Sequence, residues 1–448
     1  MLTPNDLVNS YDAKIAPVNN FQRWLHYTKA VESPNSYIVF GLISAVSAAL
    51  QRRVWIPHGI VRCYPNTFIT LVGKASLGKG MAIGPVKALI EDFKYTSTYE
   101  TNVFKEVSSK DEEEKVPVSS VDGGFEDDAL ILLPAESSSL RSLTHYLSKN
   151  PRFCYYVDST TKPPRKRPYM HSSCFLLLAE LVSLLKSGHE TINMVNFLVD
   201  AWDSRDKYKH ATFGYGTDDI RNLCVTILAG TTPDSMEGLF TEDLLREGIA
   251  SRSIFVYEEE PRFRKWPDGG LSASQLEALK SLRGHIYNIT RLMGEVRFSL
   301  EAEELIKNWY EKELAEDRVN FNIKLDPYYG RKKVHLMKLA MAVHFIDSLS
   351  MEISKDELII AMDLLKSIEI NMHRALRSKN RNELSGPAYK VLSYLKQKGI
   401  VSLNQLFGDF FETFKSREEL QQTVNNLKLI GKVEEIPGSP VKFKRKGI

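Results

Sequence analysis

The 448-residue sequence is short of several things, and each shortage removes a class of protein. Cysteine is scarce: Cys63, Cys154, Cys174 and Cys224 are widely spaced, none forms a Cys-x-x-Cys pair, and no histidines gather near them. That argues against a disulfide framework or a structural zinc and predicts free thiols in a reducing compartment. Long apolar runs are missing. The longest, Tyr37 to Leu50, has 14 residues where a membrane span needs ~20, and it contains Gly41, Ser44 and Ser47. It reads as a buried helix. The opening MLTPNDLVNSYDAK has no basic-then-apolar leader. Together these predict a soluble, cytoplasmic chain with no membrane partner. Excess charge of one sign is also absent, with 59 Lys+Arg against 56 Asp+Glu. A uniformly basic nucleic-acid binder is excluded, so any such contact must come from local patches. The 43% hydrophobic and 26% charged content excludes a collagenous, fibrous or wholly disordered chain.

The length predicts roughly two to four domains. Residues 1–65 read as mostly helical. Phe68 to Val72 (FITLV) is a strand, Gly73 to Gly80 breaks it, and helical spacing follows from Met81 to Tyr95, with Gly84-Pro85 weakening the first turn. Residues 105–124 are charged and rich in Ser and Gly, the composition of a loop. Further strand-like runs are Cys154–Val157, Phe175–Leu178, Leu223–Leu228 and Ser253–Tyr257, with a proline-rich basic insert, KPPRKRP, from Lys162 to Pro168. Short apolar strands separated by helical stretches predict an α/β fold with a parallel sheet over 66–271. Residues 272–383 are almost wholly helix-patterned. After Ser385-Gly386-Pro387, residues 384–448 read as three helices closed by a β-hairpin, a winged-helix pattern, with 11 Lys+Arg against 6 Asp+Glu.

Gly73-Lys74-Ala75-Ser76-Leu77-Gly78-Lys79 satisfies G-x-x-x-x-G-K between a strand and a helix, the context this phosphate-binding motif requires. Glycines let backbone N–H groups wrap a phosphate, the helix start adds a positive field, and Lys79 reaches the outer phosphates. The next residue, ordinarily a Ser or Thr that holds Mg²⁺, is Gly80. A second strand, Phe175–Leu178, runs into Ala179-Glu180, where an Asp-Glu pair would hold the ion and orient the attacking water. A third ends in Thr231-Thr232-Pro233, where a polar side chain can touch the terminal phosphate. Ile249-Ala250-Ser251-Arg252 precedes the last strand. Arg252 is either a surface residue in an ion pair or a finger reaching a neighbour's nucleotide.

This order of pieces resembles the AAA+ helicase core, with spacing most like the minichromosome-maintenance branch. More narrowly, GTTPD and GIASRSIFVYEEEP followed by FRKWP resemble a family of phage and mobile-element replication proteins. The resemblance covers roughly residues 35–380. It implies a P-loop NTPase core (66–271) and an α-helical lid (272–383), to which the winged-helix-like domain (384–448) is added from its own pattern. ATP and Mg²⁺ would be the cofactors, and the chain would form a ring, a hexamer, with ATP between subunits. Gly73, Ser76, Gly78, Lys79, Gly80 and Met81 would hold phosphate. Glu180 would orient water, Thr231 or Thr232 would act as the sensor, Arg252 as the trans-acting finger, and Arg331, before the helical run Lys333–Phe345, as the second sensor. Gly80 and Ala179 depart from the pattern.

In that branch a hairpin ahead of the sensor strand enters the ring's channel and holds single-stranded DNA. The matching segment is Asp206 to Asn222. Its Lys207, Lys209 and His210, with Tyr208 and Tyr215, suit phosphate contact and base stacking. Lysines that merely protect a solvated edge are the simpler alternative. Lys162, Arg165, Lys166 and Arg167 of the insert read as a second pore loop, a flexible surface loop or, third, a nuclear address. The reading is a DNA helicase or translocase working with a separate primase or initiator. Its rivals are a nucleotide-binding initiator or scaffold without turnover and a regulator acting on a protein through 384–448.

Overall fold

The structure is a computed structural model of the chain. It describes every residue except 13, 92, 94–128, 159–164, 186–188, 213–215, 240–247, 267–268, 314–325, 376–390, 393, 396–397, 411–413, 415, 430–431, 437–441 and 446–448. It divides into two compact units, Met1–Leu376 and Arg377–Ile448.

The first unit is mixed α/β. Helices α1 (Pro4–Asn9) and α2 (Asn20–Tyr27) lead to α3 (Asn35–Leu50), which is buried from Ser36 to Leu50. A helix apolar on every side belongs in a core, and Gly41 makes room for α4 (Lys79–Ile90): a Cβ there would lie 3.1 Å from Val86 Cγ2. A hairpin, β1 (Val54–His58) and β2 (Val61–Cys63), separates α3 from β3 (Phe68–Val72). After α4 come α5 (Leu140–Lys149), β4 (Arg152–Asp158), β5 (Arg165–Leu178), α6 (His189–Trp202), β6 (Lys207–Thr212), β7 (Gly216–Arg221), β8 (Leu223–Thr231), α7 (Pro233–Leu239) and β9 (Ser253–Tyr257).

The main sheet has the order β4-β5-β8-β3-β9. β5, β8, β3 and β9 run parallel, and only the edge strand β4 is antiparallel. All residues of β3 and β8 are buried, as expected when both faces of a parallel sheet are covered. Alternate residues go to opposite faces. Phe175, Leu177 and Leu228 join α3 and α4, whereas Leu176, Leu178, Val225 and Ile227 join α5 and α6. The helices α8 (Ala273–Ile289), α9 (Leu300–Asn308), α10 (Lys332–Asp347) and α11 (Lys355–Ala375) share the core of α3 and β9. Described residues of the regions read as 1–65, 66–271 and 272–383, as far as Ala375, are thus packed around common apolar residues.

Two local differences from the sequence reading stand out. Helix α4 runs through Gly84-Pro85. The KPPRKRP segment is part strand: from Arg165 to His171, β5 pairs only with β4, and from Ser172 it switches to β8. Pro168 is tolerated because it lies in this outer arm, away from the central ladder.

In the second unit, Val391, Leu392 and Leu395 pack with β10 (Ile400–Ser402), α12 (Leu403–Asp409), α13 (Arg417–Leu429), β11 (Val433–Ile436) and β12 (Lys442–Arg445). Its antiparallel sheet has the order β10-β12-β11. Ser402 and Gln405 form a reciprocal cap that starts α12. The strand β10 was not anticipated from the sequence. Among the described residues, no helix is long and apolar enough to cross a membrane.

Candidate functional site

The loop after β3 has the backbone a phosphate cradle needs. Gly78 caps α4 with a φ of 77°, and Ser76 also has a positive φ. Gly73 has no space for a side chain, since a Cβ would fall 2.4 Å from Leu77 Cδ2 and 2.6 Å from Tyr37 Oη. Lys79 is buried, and its Nζ donates to the Gly73 and Lys74 carbonyls, both at 2.9 Å. Burial lowers the pKa of this ammonium, and the Glu180 carboxylate opposes the shift. Ser76, Gly80 and Met81 are exposed on the loop's open side.

Three strand ends meet at this loop. Gly230 permits the approach, because a Cβ there would lie 2.5 Å from the Ala179 carbonyl and 3.3 Å from Lys79 Cβ. Glu180 is exposed beside Ala179. The two threonines of β8 separate in role. Thr232 Oγ1 accepts from Ser235 N at 3.1 Å and so caps α7. Thr231 is fully buried, its hydroxyl has no partner among the described residues, and its carbonyl accepts from Gly73 N at 3.3 Å. Sequence reading missed Glu136. Its carboxylate accepts from Ala179 N at 3.3 Å, and its carbonyl from Ser183 Oγ at 3.0 Å. No motif marks it, because a loop brings it to the strand end. No group of three or more His, Cys, Asp or Glu that could hold a metal occurs among the described residues.

Beside the loop lies a polar cleft of about 470 Å³ lined by Asn5, Asn9, Asn35, Glu258, Asn371 and Arg374, among others. The Glu258 N–H donates to the Val72 carbonyl at 3.0 Å, which ties the cleft to the end of β3. Burial raises the Glu258 pKa, and Asn35 Oδ1 is buried without a hydrogen-bond partner.

Arg252 and Arg331 lie elsewhere. Phe68 is in register with Ser253 and Val72 with Tyr257. The glycine-rich loop after β3 therefore follows one end of the sheet and Arg252 precedes the other, five residues or about 16 Å away. Arg252 is 7% exposed, and its guanidinium donates to Asp203 (2.7 and 3.4 Å) and to the Gly248 carbonyl (3.1 Å). Asp203 is more open, with 42% of its side chain exposed. Arg331 stands beside this pair. Burial, then the Arg252 charge, lowers its pKa, and Asp203 opposes them. Helix α10 adds His335, whose Nε2 meets the Ser251 carbonyl at 2.9 Å, and Lys338, whose Nζ reaches Tyr64 O, Asn66 Oδ1 and Trp202 O.

Both basic segments include β-hairpin strands. In β6–β7, Lys207 and Lys209 are exposed and sit opposite Arg221 and Asp219. Tyr208 packs its ring on Phe197 at 5.1 Å, and His210 Nδ1 meets Thr144 Oγ1 at 3.2 Å, so neither side chain is directed wholly to solvent. Tyr215 lies outside the described residues. In β4–β5, Arg165, Lys166 and Arg167 are on a strand paired with Asp158, Val157 and Tyr156. Lys162 is outside the described residues. Compared with known proteins, the chain matches no family model and no curated protein.

Proposed function

We propose that the chain is an ATP-hydrolysing motor of the AAA+ helicase type, which forms a ring and moves on DNA during phage or mobile-element replication. One observation carries this reading. The phosphate loop with Lys79 and the arginine pair Arg252–Arg331 stand at opposite ends of one parallel sheet. A single chain thus holds two halves of a nucleotide site that it cannot bring together itself. A ring joins the loop of one subunit to the arginines of the next.

In such a joint the N–H groups at the start of α4 hold the phosphates, and Lys79 turns to them from its two carbonyl partners. The cleft beside the loop takes the nucleoside. Glu180 orients the water, and the unpartnered Thr231 hydroxyl is better placed for the sensor role than Thr232, which is occupied as a helix cap. Arg331 of the neighbour, and Arg252 on exchanging Asp203 and the Gly248 carbonyl for the nucleotide, offset the charge that builds on the transferred phosphoryl group. Mg²⁺ would neutralise phosphate oxygens. Gly80 offers it no hydroxyl, so Glu136 and Glu180 at the end of β5 are the side chains suited to hold its water shell. The hairpin lysines Lys207 and Lys209 would contact the DNA backbone. The β10-β12-β11 sheet and its helices support a winged-helix reading of the second unit.

A second reading has its own support. Gly80 and Ala179 remove both usual side-chain oxygens for the metal, which favours an initiator or scaffold that binds nucleotide without turning it over. Steady-state ATP hydrolysis with Mg²⁺, with and without single-stranded DNA, decides between them. The motor reading predicts DNA-stimulated turnover that Lys79→Ala abolishes. Nucleotide binding with no turnover would replace it with the scaffold reading.

A further inference from the structure

Helix α3 touches two distant parts of the first unit. At its start, Ser33 Oγ donates to the Gly78 carbonyl at 2.6 Å, and Tyr37 Oη donates to the Val72 carbonyl at 2.7 Å. The contact is close on both sides of the phosphate loop: a Cβ on Gly78 would lie 2.9 Å from Ser33 Oγ. The helix then runs 16 residues, about 24 Å, wholly buried from Ser36 onward.

At its other end stands Arg52, with 2% of its side chain exposed. Its guanidinium donates to the Ser204 carbonyl (2.7 Å), the Asp206 carboxylate, Asn222 Oδ1 and Tyr169 Oη (3.4 Å). Asp206 immediately precedes β6, and Asn222 immediately follows β7. One side chain therefore grips both ends of the β6–β7 hairpin. Tyr169 belongs to the β4–β5 hairpin, and Asn222 Nδ2 binds that hairpin again through the Met170 carbonyl at 2.7 Å. Four non-glycine residues among those described have positive φ, and three belong to this node: Ser204 (56°) and Asn222 (54°), which accept from the guanidinium, and Gln51 (53°), which precedes Arg52 in the chain. Such backbone persists only where its surroundings over-determine it.

We infer that α3 is a strut coupling the phosphate loop to both basic hairpins, and that Arg52 is the positioning residue that sets the two hairpin roots together. The coupling rests on the nucleotide reading of the loop, because nucleotide is what would drive it. A helix packed on all sides does not absorb a displacement at one end by bending into free space; it passes the displacement on. The planar fork of Arg52 addresses four acceptors at once, which a lysine cannot do. The connection is a continuous chain of hydrogen bonds and packed side chains, and its energetic coupling is what the experiment measures.

The test is amide hydrogen exchange on the full chain, with ADP as the probe so that turnover plays no part. In the wild type, saturating ADP should change exchange in residues 152–158, 165–171 and 206–222 as well as in the phosphate loop. In Arg52→Lys, ADP affinity by titration should be unchanged and the change at both hairpins lost. Asn222→Gly provides a second variant that accommodates the positive φ without strain. It removes both amide bonds of the node and should lose the response at 165–171. Persistence of the wild-type response in these variants would overturn the role of Arg52. Bound ADP with unmoved wild-type hairpins would overturn the strut alone. Failure of ADP to bind the wild type would overturn the nucleotide reading and the coupling with it.

Discussion

Gly80 is the residue where the proposed phosphate loop departs most visibly from the G-x-x-x-x-G-K-[ST] pattern, and the structure leaves space there: an added Cβ meets nothing within 4 Å. Gly80→Ser should therefore be accommodated and supply the missing hydroxyl. The expected result is a several-fold lower Mg²⁺ requirement for half-maximal ATP hydrolysis, read from a metal titration. An unchanged requirement would mean the ion is not held over this position. The strand–loop–helix course of this segment was legible from the sequence, because Gly73 and Gly78 mark the loop by their spacing, and the structure gives Gly78 a positive φ there. Glu136 was not legible. It reaches Ala179 N through tertiary packing, which leaves no trace in spacing. The two threonines could not be told apart either, since capping depends on where α7 begins.

Hairpins are the elements that would meet DNA. On β6 the alternation of Lys207 and Lys209 places both on one face, and both are exposed. Converting both to Gln should weaken single-stranded DNA binding and reduce the slope of log affinity against log salt by about 1.4. An unchanged slope would show that these lysines only protect the strand edge. This hairpin was expected from the resemblance, and alternation only placed its two lysines on one face. The β4–β5 hairpin was legible only at its apolar strand runs, because Pro168 and five charged or polar neighbours hide the strand character of its outer arm. Tyr208 was read as a base-stacking residue, yet it lies against Phe197, a contact that the i, i+2 pattern of one strand does not reveal. The all-buried strands and α3 were the easiest elements to read, since uninterrupted apolar runs have few other places to go.

At the scale of the whole molecule, one buried histidine links the arginine edge to stability. Burial lowers the His335 pKa to about 3, against the pull of its bond to the Ser251 carbonyl. Folded His335 stays neutral, while the unfolded chain takes up a proton below about pH 6.5. Its contribution is present above that pH and is lost as pH falls toward 3. The thermal unfolding temperature of the wild type should thus fall as pH is lowered from 6.5 to 4. His335→Gln should show a shallower fall, with His171, also held neutral by burial, accounting for part of the remainder. An identical pH profile in the variant would remove His335 from this account. The sequence showed the order of the strand ends but not that Arg331 stands beside Arg252, because only the packing of α10 against the sheet brings them together. That juxtaposition, opposite the phosphate loop, is the basis for reading the chain as one half of each of two joints.

The most direct measurement of that claim mixes two disabled proteins. Lys79→Ala lacks a working phosphate loop, and Arg252→Ala lacks the arginine. Each is purified alone, assayed for ATP hydrolysis with single-stranded DNA, then combined and assayed again. The account predicts negligible turnover from either variant and recovered turnover from the mixture, where an intact loop faces an intact arginine across some joints. No recovery from a mixture that assembles and still binds nucleotide would contradict it.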